Sequence, residues 1–95
     1  MIKNINMYQL MEIIKDRDLL IIDVRDANEY AQKRIYGAIN ITYDDIDIIS
    51  KKYPDRNKKI LVYCTKGARS IVVAEQLDRL GYKKIYNLEK GIEKN

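Results

Sequence analysis

Residues 60–81 are ILVYCTKGARSIVVAEQLDRLG, an apolar run followed by a short polar loop and a helical pattern. Residues 60–63 are apolar and rich in strand-forming types, which predicts a β-strand. Val73, Leu77 and Leu80 recur at i, i+4 and i+7, the spacing of one helix face. Gly81 is typical of the position just past a helix end. The stretch therefore predicts a strand, a loop over residues 64–70 and a helix that stops at Gly81.

The flanking sequence continues this alternation of strands and helices. Residues 19–24 form an apolar run of the kind found in strands buried on both faces. Two capping-box spacings, Asn6 with Gln9 and Asp26 with Glu29, predict helix starts. Further predicted elements are strands at residues 2–5, 39–41 and 84–87 and a helix at residues 43–53. The pattern favours an α/β fold, an open, mainly parallel β-sheet with helices on both faces, in which ligands bind at the carboxyl ends of the strands.

Length and composition exclude several classes of protein. The 95 residues suffice for one domain, which we assign to residues 1–95. With no His and one Cys, the chain cannot form a His-dependent triad, an imidazole metal site, an internal disulfide or a cysteine zinc cluster. No stretch is apolar enough to span a membrane and no signal-peptide pattern is present, so we expect a cytoplasmic protein that does not contact membranes. The net charge of +4 comes from scattered lysine pairs, which argues against a nucleic-acid partner.

The predicted loop contains the single thiol of the chain. Cys64 ends a buried strand just before a helix N-terminus, where several backbone N–H groups lack helical partners. These groups, together with the cations Lys66 and Arg69, are expected to lower the pKa of the thiol. Gly67 lets the backbone curl so that successive N–H groups face one anion. A lone cysteine is more often an inert core residue, and the two cations also fit a solvated or ion-paired surface, but the combined setting favours a nucleophilic thiolate beside an anion.

Polar residues around this loop are expected to support it. Ser70 suits either a helix cap or a hydrogen-bond donor to the thiolate. Asp23 is expected to be structural, capping or pairing at the end of its strand. Arg25 and Glu29 are expected to form a salt bridge that fixes the loop after that strand.

Several segments together resemble one protein family. Residues 20–25 (LIIDVR), 29–30 (EY), 34–41 (RIYGAINI) and 62–70 (VYCTKGARS) follow one another in order, and Gly81, Tyr82, Leu88 and Gly91 continue the series. They resemble the rhodanese patterns D-V-R-x-x-x-E-Y, G-H-I-x-G-A-x-N-I and V-Y-C-x-x-G-x-R-S. Because the similarity spans nearly the whole chain, it indicates a single-domain rhodanese with the rhodanese-like fold.

The resemblance implies a sulfurtransferase. Cys64 matches the cysteine that accepts a sulfane sulfur as a persulfide and passes it to cyanide or a thiol. The matching loop that would bind substrate and persulfide comprises Thr65, Lys66, Gly67, Ala68, Arg69 and Ser70, with Asp23, Arg25 and Glu29 as supporting residues. Lys66 matches the lysine of thiosulfate-type loops, which favours a small anionic donor such as thiosulfate. We expect no cofactor and no metal, and the expected partners are this donor, a thiol or cyanide acceptor and, as an alternative, a protein sulfur donor.

Two positions depart from the family pattern. Lys33-Arg34 replaces the usual Gly-His, a change that removes no nucleophile. Lys90 stands where the family has a Gly that lets a turn lie against the active loop. The second departure predicts a changed rim around the substrate site.

Three alternative functions remain open. The chain fits a persulfide carrier that uses the same Cys64 with a protein donor, a non-catalytic rhodanese-like module for binding or redox sensing, and a small phosphatase or arsenate reductase. Phosphatases related to the cell-division-cycle enzymes place five residues between Cys and Arg, whereas four separate Cys64 from Arg69. The shorter loop favours one sulfur atom or a small anion over a tetrahedral oxyanion.

Overall fold

The computed structural model describes residues 1–93 and is built on a five-stranded sheet. Along the chain the elements are β1 (Ile2–Ile5), α1 (Met7–Ile13), β2 (Leu20–Asp23), α2 (Ala27–Gln32), β3 (Ile39–Asn40), α3 (Asp47–Lys52), β4 (Lys59–Tyr63), α4 (Ala68–Arg79) and β5 (Lys84–Leu88). The strand order is β1-β5-β4-β2-β3, and every neighbouring pair is parallel. The predicted open parallel sheet is confirmed, and the predicted strands agree with the observed ones to within one residue at each end.

The central strand β4 is buried on both faces because its side chains alternate between two apolar layers. Ile60 and Val62 pack with buried residues of α3 and α4. Leu61 and Tyr63 pack on the other face with residues of α1 and α2. Helices therefore cover both faces of the sheet, as predicted.

Local capping signals fix where the helices begin and end. Asn6 and Gln9 exchange backbone-to-side-chain hydrogen bonds of 2.9 Å at the start of α1. The same capping box joins Asp26 and Glu29 at the start of α2. Helix α4 ends at Arg79 with Leu80 as its C-cap, and the next residue, Gly81, has a φ of +95°, the left-handed conformation of a C′ glycine.

The predicted helix at residues 43–53 is wrong in its first half, because α3 spans only Asp47–Lys52. The N–H of Tyr43 donates to the Val24 carbonyl at 3.0 Å, so the chain still follows the end of β2 at this point. Thr42 then closes a turn: its carbonyl accepts from the Asp45 N–H at 2.9 Å and its hydroxyl donates to the Asp45 carboxylate at 3.3 Å. The carbonyls of Asp45 and Ile46 then accept from Ile48 and Ile49, three residues ahead, at 3.0 and 2.9 Å, so the chain turns more tightly here than in an α-helix.

The order of the strands places the two polar segments at one edge of the sheet. Strands β2 and β4 are neighbours with Asp23 opposite Tyr63, so residues 23–25 and 64–70 emerge side by side at the carboxyl ends. Within residues 1–93, no helix is both long enough and apolar enough to cross a membrane. The assignment of residues 1–95 to one domain and the cytoplasmic location stay predictions.

Candidate active site

The Cys64 thiol lies directly after β4, at the start of the loop that leads into α4. Its Sγ accepts hydrogen bonds from the backbone N–H groups of Gly67 at 3.1 Å and Ser70 at 3.3 Å. The Ser70 hydroxyl oxygen lies 3.5 Å from Sγ and 3.4 Å from the Gly67 carbonyl oxygen. The N-cap residue of α4 is Gly67, which has no side-chain cap. Ser70 is therefore not the cap. Its hydroxyl accepts from the Cys64 thiol and donates to the Gly67 carbonyl, which places it where it could donate to a thiolate.

The pKa of the Cys64 thiol results from opposing effects. Burial, which leaves Cys64 1% exposed, raises the pKa, whereas the Ser70 hydroxyl and the backbone N–H groups of Ser70, Gly67 and Arg69 lower it. The hydrogen-bond donors outweigh burial, so the pKa lies below the ordinary value for a cysteine. The pKa of Cys64 is lowered, as the sequence predicts, but the largest lowering effects come from the Ser70 hydroxyl and the backbone N–H groups rather than from side-chain cations.

Two glycines allow the active loop to touch the turn that follows β5. Gly67 has a φ of +97°, and a Cβ there would lie 1.9 Å from the carbonyl oxygen of Glu89. Gly91 has a φ of +73°, and a Cβ there would lie 2.1 Å from the carbonyl oxygen of Thr65. Neither position leaves room for a side chain, so the close approach of the two backbone segments requires glycine at both positions.

Lys90 does not prevent this close approach. Lys90 is exposed and lies outside the positive-φ region, because Gly91 is the residue that faces the loop. The N–H of Ile92 donates to the Cys64 carbonyl at 3.1 Å and ties the segment to the loop. The rim change expected from Lys90 therefore does not extend to the backbone contact.

Arg69 forms a bidentate pair with Glu29. Its Nη1 lies 2.9 Å from Glu29 Oε1 and its Nη2 lies 3.1 Å from Glu29 Oε2. Thr65 completes the network, because its hydroxyl donates to Glu29 at 3.1 Å and accepts from Arg69 at 3.3 Å. The Arg69 guanidinium is the main cause that lowers the pKa of Glu29 to about 2. This network joins the loop to α2 and α4.

The predicted salt bridge between Arg25 and Glu29 is wrong. Arg25 pairs with Asp23 instead, with 2.7 Å between Nη2 and Oδ2, and both side chains are buried. Arg25 also donates to the Lys33 carbonyl. The spacing of Arg25 and Glu29 suggested a pair, but Arg25 precedes α2, so the geometry that brings residues i and i+4 together on a helix does not apply.

Tyr63 is a supporting residue that the sequence argument missed. Its hydroxyl donates to Asp23 Oδ2 at 2.8 Å and accepts from the Ile35 N–H at 3.0 Å. Burial raises the pKa of Tyr63, which keeps the hydroxyl protonated. The sequence does contain a signal for this role, because a tyrosine in a buried aliphatic strand needs a hydrogen-bond partner for its hydroxyl. The Asp23–Arg25–Tyr63 cluster thus fixes the strand end from which Cys64 extends.

A cleft of about 290 Å³ opens over the active loop. Its lining consists of Glu29, Cys64, Thr65, Lys66, Ala68 and Arg69. The volume is at the lower end of the range for ligand sites, which suits a small anion. The Lys66 side chain is 78% exposed, and its Nζ lies 3.7 Å from a carboxylate oxygen of Glu93. Four of the six predicted loop residues therefore line the cleft together with Cys64. The other two, Gly67 and Ser70, donate backbone hydrogen bonds to Sγ.

Comparison with known proteins identifies the family. The model of the Rhodanese-like domain family matches residues 6–94. The chain is 37% identical over 93 residues to the thiosulfate sulfurtransferase GlpE of Coxiella burnetii, covering 98% of this chain and 86% of that protein. It is 28% identical over 81 residues to the putative sulfur carrier protein YrkF of Bacillus subtilis, covering 85% of this chain and 43% of that protein.

A solved structure agrees with this similarity. The crystal structure of a rhodanese-related protein from Thermoplasma volcanium matches with a TM-score of 0.83 and 34% identity, covering 96% of this chain and 87% of that one. The chain belongs to the rhodanese-like domain family. Its fold class and its enzyme class, a rhodanese-type sulfurtransferase, are those predicted from the sequence.

Proposed function

We propose that this protein transfers a sulfane sulfur from a small anionic donor of the thiosulfate type to a thiol or cyanide, through a persulfide on Cys64. The observation that carries the proposal is the position of Cys64, which lines a cleft of about 290 Å³ and whose Sγ accepts hydrogen bonds from backbone N–H groups at 3.1 and 3.3 Å. A thiolate in this position is stabilised by its hydrogen-bond donors. Although Cys64 is only 1% exposed, it borders a cleft that a small anion can enter, as a nucleophile requires.

In the first half-reaction the Cys64 thiolate attacks the outer sulfur of thiosulfate. A bond forms between Sγ and that sulfur, the S–S bond of thiosulfate breaks, and sulfite leaves with the bonding electron pair. The charge that began on Sγ then resides on the new outer sulfur, about 2 Å further out. The lowered pKa of Cys64 favours the thiolate as the attacking group, so the step does not call for a general base, which suits a chain without His.

In the second half-reaction the acceptor attacks the outer sulfur of the persulfide. Cyanide or a thiolate bonds to that sulfur, the S–S bond to Cys64 breaks, and its electron pair returns to Sγ. The products are thiocyanate or a new persulfide, together with the regenerated thiolate. The N–H groups around Sγ assist this step because a thiol of low pKa is a better leaving group.

The two cations of the loop have different parts in the proposed reaction. The Arg69 guanidinium is held by Glu29 and Thr65, so it positions the loop instead of contacting the donor. Lys66 is exposed at the cleft and acts as the point charge that binds the oxygens of thiosulfate.

A persulfide carrier is the second candidate, and the similarity to the putative sulfur carrier YrkF favours it. A carrier would form the same Cys64 persulfide but would receive the sulfur from a protein donor such as a cysteine desulfurase. The hydrogen bonds to Sγ serve either route, so the identity of the donor separates the two functions.

The remaining alternatives receive less support from the site. A phosphatase or arsenate reductase would need a larger anion cradle, whereas four residues separate Cys64 from Arg69 and the Arg69 guanidinium is engaged by Glu29. A non-catalytic binding module would have no need for hydrogen-bond donors around the thiol.

Initial rates of thiocyanate formation from thiosulfate and cyanide test the proposal. We expect parallel double-reciprocal plots, since two half-reactions share one covalent intermediate, and no turnover in Cys64→Ser.

Lys66→Ala is expected to lower kcat/KM for thiosulfate about tenfold through the loss of one charge contact. Persulfide formation only with a cysteine desulfurase and cysteine would favour the carrier, and Cys64-dependent turnover of an aryl phosphate would contradict sulfur transfer.

A further inference from the structure

Glu93 is fixed beside the active loop although its side chain is half exposed. Its N–H donates to the Thr65 carbonyl at 2.9 Å, next to the bond between the Ile92 N–H and the Cys64 carbonyl. Gly91, two residues earlier, packs against the Thr65 carbonyl and leaves no room for a Cβ. The position of the Glu93 backbone is therefore set by the same contacts that hold the loop.

This placement brings the Glu93 carboxylate to Lys66. The nearest oxygen lies 3.7 Å from Lys66 Nζ, and the two side chains are 78% and 49% exposed for Lys66 and Glu93. The distance exceeds that of a good charge-assisted hydrogen bond, so the pair is loose and opens at low cost.

The charges that line the cleft make this pair consequential. Glu29 and Arg69 neutralise each other through two hydrogen bonds of 2.9 and 3.1 Å. The other cation of the lining is Lys66, and it is the one that faces Glu93. An incoming anion must therefore compete with the Glu93 carboxylate for the ammonium group.

We propose that Glu93 determines donor specificity by competing with anionic sulfur donors for Lys66. The inference rests on the proposed function and adds a residue outside the cleft lining to it. Glu93 acts through Lys66 and weakens the binding of small dianions, while donors that do not need the ammonium group are unaffected.

Glu93→Gln tests the proposal because it keeps the shape of the side chain and removes its charge. We expect kcat/KM for thiosulfate to rise about threefold, the size of effect typical of a loose exposed ion pair. The ratio of Cys64 alkylation rates with iodoacetate and iodoacetamide, reagents of similar size that differ in charge, should rise by about the same factor. Glu12→Gln is the matched control, since Glu12 is on α1 and the substitution removes an equal charge from its exposed pair with Lys15.

The double variant with Lys66→Ala shows whether Glu93 acts through Lys66. The gain from Glu93→Gln should disappear in the Lys66→Ala background. A gain that persists there, or that equals the effect of Glu12→Gln, would overturn the proposal. If the wild type formed no persulfide with thiosulfate, the proposed function would fail, whereas the alkylation ratio would still report on Glu93 and Lys66 independently.

Discussion

Cys64 is stabilised as a thiolate by groups that the fold supplies at fixed positions. Two backbone N–H groups bond to Sγ at 3.1 and 3.3 Å, and the Ser70 hydroxyl lies 3.5 Å away. Because these donors belong to the start of α4, they need no rearrangement when charge moves on or off the sulfur. The reactivity of Cys64 is thus set by backbone geometry and one hydroxyl.

Ser70→Ala should raise the midpoint of the pH profile for Cys64 alkylation with iodoacetamide. The variant removes the hydroxyl, the largest contribution that lowers the pKa of the thiol, and leaves the backbone donors in place. Ser50→Ala is the control, because the Ser50 hydroxyl donates to the Asp47 carbonyl on α3 and should not affect the profile. A midpoint that is the same in Ser70→Ala and the wild type would show that the hydroxyl does not stabilise the thiolate.

At the scale of elements, the active loop and the turn after β5 depend on two glycines. We expect Gly91→Ala to lower the free energy of unfolding by about 2–4 kcal/mol, because it combines a strained φ with a clash against the Thr65 carbonyl. Gly37→Ala separates the two causes, since Gly37 also has a positive φ, +86°, but nothing within 4 Å of its Cβ position. Gly37→Ala should lower the free energy of unfolding, measured in urea, by about 1 kcal/mol. Equal losses in the two variants would contradict the importance of the close approach.

The network that joins α2 to the loop should be visible in the pH dependence of stability. The Arg69 guanidinium lowers the pKa of Glu29 from 4.5 to about 2, so the pair stabilises the fold fully above about pH 4.5 and loses this effect as the pH falls toward 2. The Glu29 side chain is 35% exposed, and solvent screening limits the contribution to about 1 kcal/mol. We expect Glu29→Gln to be less stable than the wild type by this amount at pH 7.

Urea unfolding at a series of pH values checks this expectation. The difference between Glu29→Gln and the wild type should shrink steadily below about pH 4.5. Glu12→Gln should differ from the wild type by only a few tenths of a kcal/mol, because its pair with Lys15 is highly exposed. A difference for Glu29→Gln that stays constant down to pH 2 would mean that the charge pair is not its cause.

Elements governed by local signals could be predicted from the sequence, whereas those governed by distant partners could not. The capping box of Asn6 and Gln9 lies within one turn, so the sequence indicates it directly. The late start of α3 goes with a hydrogen bond between Tyr43 and Val24, which lie far apart in the sequence and outside any helix or strand. No local pattern contains that contact.

The same distinction applies to the site. Cys64 and its loop could be predicted because a strand, a glycine and a helix start are adjacent in sequence. The partner of Arg69 is Glu29, 40 residues away, and this pairing follows from the order of the strands rather than from any spacing. Glu93 gave no signal at all, since its place beside Lys66 depends on the turn after β5.

At the scale of the whole molecule, the reactive edge is anchored by a buried polar cluster at the carboxyl ends of β2 and β4. Tyr63, Asp23 and Arg25 link β4 to β2, and the Tyr63 hydroxyl also holds the backbone of Ile35. The cluster supports the strand end without contacting Sγ. Its loss should therefore affect stability far more than chemistry.

Tyr63→Phe is expected to lower the free energy of unfolding by about 1–3 kcal/mol, because it leaves the Ile35 N–H without its acceptor and removes one of the hydrogen bonds to Asp23 Oδ2, which keeps its pair with Arg25. The first-order rate of persulfide formation in the folded variant should stay within about twofold of the wild type. Tyr36→Phe is the control, since Tyr36 is 97% exposed and should change stability by less than about 0.5 kcal/mol. A large loss of rate at unchanged stability would move Tyr63 into the reaction itself.

The most direct test of the central claim is the intact mass of the protein after incubation with thiosulfate, for the wild type and for Cys64→Ser. We predict that the wild type gains one sulfur atom, that a thiol reductant removes it, and that Cys64→Ser gains none. A wild-type protein whose mass stays unchanged, while its Cys64 is still fully alkylated by iodoacetamide, would contradict persulfide transfer from thiosulfate.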